Sequence, residues 1–594
     1  MADVEPTLAS RTRTVRLFDA DHPLTLANGE QLTQVDVAYE TYGHLTSAGD
    51  NAVYICHALT GDAHAAGRPT PDGPLGWWDT MIGPGKAIDT TRWFVVCSNL
   101  LGGCQGTTGP SSINPATDQP WGLDFPLLAV SDFIAVHRAL LAHLGVRHVH
   151  AAVGGSLGGM QVLQWSLDHP EDLDRAVIIA ASSRLTAQNI AFSAVGREAI
   201  MRDENFHAGR FVGTGAGPDV GLAVARMMAH ITYTSEESFE EKFGRRPQGG
   251  QSTPGFGVDF AVESYLEHQG AAFLTRFDAL SYLYLTRVMD YFDPFADPEA
   301  TDRVQEHPVS HLVISFDSDW RFSTTHSRRI VRRLADARLP VSFREIRSPW
   351  GHDSFLLDVP DYLRTVRAFL EAPAAPQLDR SQPTDSATGP SAGGDPSQLR
   401  PDLARLARLI EPGSRVLDVG CGDGALLAYL TAFRNCTGVG VEKDPDAVLA
   451  AIRAGVPVVD FDIDTQLGQF ADDSFDVVVL SRTLQTLLRP VAVLSQMRRI
   501  ASRMIVSMPN FAYWRHRLEM ASGHMPRSAD LPFDPFETPN VHHATVPVLE
   551  DLFFRTGLVI DQRYPLDASG RRLKVPNVAT NLRASSTLYV LRRD

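Results

Sequence analysis

The stretch Val149–Met160, VHAAVGGSLGGM, decides how the first half of the chain is read. A short apolar run, Val149 to Val153, meets Gly154-Gly155-Ser156-Leu157-Gly158, and a helix-like segment, Met160 to Leu167, follows. Small residues let the chain reverse sharply between strand and helix, leaving the Ser156 hydroxyl at the tip of the turn. The backbone N–H of Leu157 then faces the place where a substrate oxyanion would form. A G-x-S-x-G pentapeptide alone reads equally well as an ordinary Gly/Ser turn. The flanking strand and helix, with partners further along the chain, make it a nucleophile elbow.

Outward from the elbow, strands alternate with helices. Candidate strands are Val35–Thr41, Ala52–Cys56, Trp93–Cys97, Val149–Val153, Ala176–Ala180, Leu312–Phe316 and Val341–Ile346. Apolar side chains three and four apart predict a helix over Leu127–Leu144. This alternation predicts a mostly parallel sheet wrapped by helices. It breaks between about residues 185 and 308, where helix-like segments and the Gly/Pro-rich loop 245–257 form an insertion. Its place after strand Ala176–Ala180 is where a helical lid over the elbow is expected.

A second boundary falls at 372–398, a run of Pro, Ser, Gly, Ala and Thr with almost no large apolar side chains. Such a segment cannot bury enough surface to order itself and reads as a flexible tether. The domains expected are therefore 1–371 and 399–594. After the tether the pattern restarts with helix Leu399–Ile410, strand Arg415–Val419, helix Ala425–Phe433, strand Thr437–Val441, helix Asp446–Arg453 and strand Val456–Asp460. Strands Phe475–Leu480 and Met504–Ser507 follow.

Composition narrows the function classes. The chain has 594 residues, 44% hydrophobic and 21% charged, enough apolar surface for a core in each half. No stretch approaches the ~18 uninterrupted apolar residues of a membrane-spanning helix. The net charge of −16 disfavours a nucleic-acid partner. The five cysteines, Cys56, Cys97, Cys104, Cys421 and Cys436, are scattered without a C-x-x-C pair. That argues against a disulfide framework or a metal site and suits a reducing cytoplasm.

A serine nucleophile needs a base, and the base an orienting carboxylate, in the chain order Ser, acid, His when the elbow is of this type. Strand Leu312–Phe316 leads into DSDWRFS, offering Asp317 and Asp319, and strand Val341–Ile346 leads into SPWGHDSFL, offering His352. His57, His64, His137 and His143 read as helix-face or loop residues. A second oxyanion donor is expected from the loop CHALTGDAH, at the N–H of Leu59.

The motifs ICHALTGDAH, SNLLGGCQGTTGPSS, GGSLGGMQVLQW, ARMMAHITYTS, DSDWRFS and GHDSFL together resemble the homoserine O-acyltransferase family of the α/β-hydrolase fold, over roughly residues 10–371. The resemblance implies Ser156 as nucleophile, Asp319 as the triad acid and His352 as general base. It also implies that Arg226 and Asp353, assisted by Tyr233, bind L-homoserine, with acyl-CoA as co-substrate, a ping-pong mechanism and a homodimer. The stretch Asp319-Trp-Arg321-Phe-Ser323 departs from the Leu-Phe-Pro ending of acetyl-specific members and is similar to the arginine-bearing version of succinyl-specific ones. Succinyl-CoA carries a free carboxylate that an arginine can bind through two hydrogen bonds, and acetyl-CoA does not. Arg321 is therefore expected to select succinyl-CoA over acetyl-CoA.

In the second half, strand Val416–Val419 runs into Gly420-Cys421-Gly422-Asp423-Gly424 and then a helix. Such glycines let backbone approach a ligand at a helix N-terminus. The D-x-G-x-G-x-G pattern resembles class I S-adenosylmethionine-dependent methyltransferases. Over 399–594, with SFDVVVLSRTLQTLLRP and SMPNFAYWRHRLEM, it resembles more narrowly the methionine biosynthesis protein MetW. The resemblance implies an S-adenosylmethionine site built from Asp418, Gly420, Gly422, Gly424, Glu442 and Asp462, with Glu442 on the ribose and Asp462 near the adenine. No residue stands out as a base for a methyl acceptor, so a regulatory role is expected. Cys421 reads as a small packing residue.

Overall fold

Apolar runs without polar alternation become the central strands. The computed structural model describes residues 11–248, 255–297, 299–373, 399–528, 531, 534 and 536–594. Of the expected tether, 374–398 lie outside the described residues, as do 249–254 of the Gly/Pro-rich loop. The chain forms two compact units, one running through Leu370 except for Val341–Phe343, the other holding those three residues and the chain from Glu371 onward. Among the described residues no helix is long and apolar enough to cross a membrane.

In the first unit the strands are β1 (Arg13–Phe18), β2 (Val35–Tyr42), β3 (Ala52–Cys56), β4 (Phe94–Ser98), β5 (Val149–Gly155), β6 (Leu173–Ile179), β7 (Ser310–Phe316) and β8 (Val341–Ile346). They lie in the order β1-β2-β4-β3-β5-β6-β7-β8. β1 and β2 are antiparallel additions, whereas β4, β3, β5, β6 and β7 run parallel. Every residue of β3 and β4 is buried, as a parallel sheet covered on both faces requires. β1, an exposed edge strand of sequence RTVRLF, was not among the expected strands.

Helix α1 (Val130–His143) starts later than its periodicity suggests, because the Asp132 carboxylate accepts the Ala129 N–H at 2.7 Å and caps it there. Helix α2 (Leu157–Asp168) begins directly after Ser156, three residues before the helix-like run in the sequence. Between β6 and β7 the insertion forms α3 (Ala187–Met201), α4 (Asp219–Tyr233), α5 (Glu236–Lys242), α6 (Ala261–Leu274), α7 (Ala279–Tyr291) and α8 (Ala300–Glu306). Helix α4 packs on α3 and α6. Helices α9 (Thr324–Asp336) and α10 (Pro360–Glu371) follow β7 and β8.

The second unit opens with α11 (Pro401–Leu409). Its strands are β9 (Arg415–Val419), β10 (Thr437–Glu442), β11 (Val458–Asp460), β12 (Val477–Ser481), β13 (Arg503–Pro509), β14 (Leu558–Leu566) and β15 (Ser586–Arg593), in the order β11-β10-β9-β12-β13-β15-β14. The strands are parallel except β15 and β14. The glycine turn lies between β9 and α12 (Ala425–Arg434). The sheet order reverses at β9, and α/β folds of this kind bind ligands at such a switch point.

Candidate active site

Ser156 stands alone between β5 and α2 with φ 59° and ψ −122°, backbone angles that an L-residue holds only under constraint. The constraint is close packing on both sides of it. A Cβ on Gly158 would lie 2.0 Å from the Cys56 carbonyl oxygen, and one on Gly154 would lie 2.4 Å from the Gly158 carbonyl carbon. A Cβ on Gly159 would meet Ala181 Cβ at 2.7 Å. The elbow's small residues are thus what allow α2 to rise directly off the sheet. The Leu157 amide is the first of this helix, where no intrahelical acceptor exists.

The loop after β8 brings His352 to the elbow's side of the sheet. A Cβ on Gly155 would lie 2.5 Å from the Phe355 ring, and that ring sits 5.5 Å from the His352 ring. Gly351 must be glycine: its φ is 68°, and a Cβ would meet the Tyr233 carbonyl oxygen and the Ser235 amide at 2.7 Å. His352 Nδ1 donates to Asp319 Oδ2 at 2.7 Å, with both side chains buried. The other carboxylate oxygen, Oδ1, accepts the N–H groups of Arg321 (3.0 Å) and Phe322 (2.8 Å). Asp319 is thereby fixed and His352 Nε2 is left with the free lone pair of a base. Asp317, the other carboxylate offered by the sequence, is exposed and accepts the Ser348 amide at 3.0 Å, steadying the loop instead.

Charged side chains from α4 and from the loops after β7 and β8 lie around His352 and Asp353. Arg226, half-buried on α4, lies 4.7 Å from the centre of the Phe273 ring. Burial pushes the Asp353 carboxyl above the ordinary carboxylate range, against the pull of His352 and Arg226. Among the described residues neither Arg226 nor Asp353 has an ion-pair partner. Tyr233 stacks obliquely on His352 at 5.6 Å. Arg321 is buried, 8% exposed, and donates to Thr232 Oγ1 at 2.9 Å between the rings of Tyr233 and Phe322. Among the described residues it has no carboxylate partner. A guanidinium in such a place is costly unless an anion joins it.

In the second unit Gly420, Gly422 and Gly424 have φ of 77°, 57° and 77°. A Cβ on Gly420 would lie 2.3 Å from Thr483 Oγ1, whereas the space beside Gly422 is open. Glu442 accepts the Gly422 amide at 3.0 Å through Oε2, and the Lys443 and Asp444 amides through Oε1. Asp418 is buried beneath this turn, its carboxyl pushed up to about 7 by burial and by Glu442. Asp462 caps a following short turn by accepting the Asp464 amide at 2.9 Å. Cys421 packs against Gly440, where a Cβ would come within 2.4 Å of its sulfur.

Two family models match the sequence: the alpha/beta hydrolase fold over residues 51–359 and methionine biosynthesis protein MetW over residues 400–591. A bifunctional methionine biosynthesis protein MetXA/MetW from Rhodopirellula baltica is 38% identical over 591 residues, covering 97% of this chain and 92% of that protein. The chain belongs to the bifunctional MetXA/MetW family. Its first unit is also 57% identical over 359 residues to a homoserine O-succinyltransferase from a Nocardioides species, covering 60% of this chain and 97% of that protein. A homoserine O-acetyltransferase from Rhodospirillum rubrum is 51% identical over 357 residues, covering 60% and 91%. The crystal structure of a homoserine O-acetyltransferase from Bacillus anthracis superposes with a TM-score of 0.57 at 26% identity, covering 62% of this chain and 99% of that one.

Within this MetXA/MetW chain, Arg276 carried no signal in the sequence, and three residues that the sequence does mark find defined places near the elbow. Arg276 lies 5.5 Å from the centre of the Phe273 ring and donates to the Thr60 carbonyl at 3.2 Å, within the expected oxyanion loop. His57 and His137, read as ordinary loop and helix residues, are both buried and hydrogen-bonded at both ring nitrogens. Leu59, the expected second oxyanion donor, is buried within the turn that the Gly61 amide closes on the Ala58 carbonyl at 3.0 Å.

Proposed function

We propose that this chain is a homoserine O-succinyltransferase in which residues 1–371 carry the chemistry and residues 399–594 bind S-adenosylmethionine as a regulatory signal. Ser156 Oγ attacks the thioester carbonyl of succinyl-CoA while His352 Nε2 takes its proton. The oxyanion that forms is held by the Leu59 and Leu157 amides. The C–S bond then breaks, and the departing thiolate takes the proton from His352. The γ-hydroxyl of homoserine next gives its proton to His352 and attacks the succinyl-Ser156 ester. Collapse releases O-succinylhomoserine and returns the proton to Ser156 Oγ. The lid keeps water from competing with homoserine.

The observation that carries this reading is the pair of opposite charges Arg226 and Asp353, neither with an ion-pair partner among the described residues, beside an Asp319-bound His352. An amino acid's carboxylate and ammonium need such a pair, and a simple ester does not. Relatives named for succinyl and for acetyl transfer stand at similar identity, so the choice of acyl group rests on Arg321. Its burial, with no carboxylate partner among the described residues, supports succinyl. In the second unit, Asp418, Glu442 and Asp462 would hold the cofactor's polar groups, and the open space at Gly422 suits close backbone approach. S-adenosylmethionine supplies an activated methyl group, but the sequence marks no residue as a base for a methyl acceptor, which favours sensing over transfer. The working form is taken to be a cytoplasmic homodimer. Release of CoA from succinyl-CoA and from acetyl-CoA, with and without homoserine, tests the reading. Homoserine-dependent release that favours succinyl-CoA is expected, and homoserine-independent release would make the protein a thioesterase.

A further inference from the structure

One buried side chain joins the two segments that carry the oxyanion amides. Gln161, on α2, is fully buried. Its Nε2 donates to the His57 carbonyl at 3.0 Å and to the Leu157 carbonyl at 3.2 Å, and its Oε1 lies 3.0 Å from His137 Nε2. Backbone carbonyls can only accept, so the nitrogen must face them, and His137 Nε2 must carry a proton for Oε1. His137 Nδ1 then accepts from the Tyr54 hydroxyl at 2.7 Å, and the Tyr54 oxygen accepts from Ser98 Oγ at 2.6 Å. Burial pushes His137 down to about 4, so it stays neutral and the direction of this chain does not change near neutral pH.

The loop end is held from its other side as well. His57 Nδ1 donates to the Ala58 carbonyl at 2.7 Å while its Nε2 accepts the Leu100 amide at 3.1 Å. The Ala58 carbonyl and the Leu59 N–H belong to one planar peptide, so holding the first aims the second. Gln161 ties the backbone of His57 to the first turn of α2, where the Leu157 amide begins the helix. We propose that Gln161 is a positioning residue that sets the separation of the Leu59 and Leu157 amides, with Ser98, Tyr54 and His137 holding it in place. The inference rests on the assignment of those two amides as the oxyanion donors. Donors of this kind act on the transition state at 2.7–3.1 Å, so a change in their spacing should lower kcat and leave substrate binding alone.

Two variants of the full chain test it. Gln161→Met keeps the length and removes every hydrogen bond. Gln161→Glu restores one O–H donor only when its carboxyl is protonated. For Gln161→Met the expected result is a kcat lower by about 10–100-fold with KM for homoserine and succinyl-CoA within about twofold of wild type. Its activity relative to wild type should not depend on pH. The relative activity of Gln161→Glu should rise as pH falls. Should the methionine variant fail to fold, the pH profile of the glutamate variant decides alone. An unchanged kcat in Gln161→Met, or a glutamate variant whose activity relative to wild type does not vary with pH, would overturn the proposal. Failure of wild type to form an acyl-Ser156 adduct would instead overturn the reading on which it rests.

Discussion

Replacing Arg321 with leucine is the sharpest perturbation of acyl choice. Arg321 is 8% exposed, and its guanidinium is held by Thr232 at 2.9 Å between two aromatic rings. A succinyl carboxylate that reaches it gains charge-assisted hydrogen bonds worth about 1.5–3 kcal/mol. At ~1.4 kcal/mol per factor of ten, that corresponds to a preference of about 10–100-fold in kcat/KM. The backbone amide of Arg321, which helps fix Asp319, is untouched by the change. The triad should therefore survive, and loss of a buried charge with no carboxylate partner among the described residues should leave stability equal or higher. Initial rates of CoA release with homoserine, measured for succinyl-CoA and acetyl-CoA in both proteins, give the ratio directly. Arg321→Leu should lose most of its succinyl activity and keep or gain acetyl activity. An unchanged succinyl-to-acetyl ratio would refute the assignment of Arg321 while leaving the triad intact.

Ser156→Ala and His352→Ala should each lower turnover by about 10⁴–10⁶-fold, and the double variant should lose little more, because the two act as a unit. Near-normal turnover in either single variant would remove it from the triad. Asp319→Asn should cost about 10⁴ in kcat through a misoriented imidazole, whereas Asp317→Asn should leave the rate within about tenfold of wild type; the reverse order would exchange the two carboxylates. Asp418, raised to about 7, stabilises the second unit below the ordinary carboxylate range, and that contribution is lost as pH rises through about 7. Asp418→Asn should therefore slow amide exchange in Val416–Val419 of the full chain at pH 8 while weakening S-adenosylmethionine binding in calorimetry; unchanged exchange and unchanged affinity would contradict both roles.

The elbow is legible in the sequence because its causes are local: an apolar strand, glycines on either side of one serine, and a helix. The Asp319 and His352 loops are legible because each follows a clean apolar strand. What the sequence hides is what distant segments decide together. Gly158-Gly159 looks like a turn, yet both lie in α2, because the Cys56 carbonyl and Ala181 leave no room for side chains there. Gln161, His137 and Tyr54 sit on three different elements, and nothing in their spacing marks them as partners. β1 carries arginines on an exposed edge, and β14 and β15 are antiparallel additions beyond the glycine-marked core, so none has the all-apolar signature of a central strand. Arg321 is visible as an arginine near Asp319, but its burial with no carboxylate partner among the described residues is a tertiary fact.

The central claim is a succinyl-Ser156 intermediate discharged by homoserine. Incubating the full chain with succinyl-CoA alone and following the Ser156 peptide by mass spectrometry tests it most directly. A succinyl ester on Ser156 that persists until homoserine is added, and then disappears as O-succinylhomoserine forms, is the predicted result. Transfer to homoserine with no adduct on Ser156, or an adduct lost to water as fast without homoserine as with it, would contradict the account.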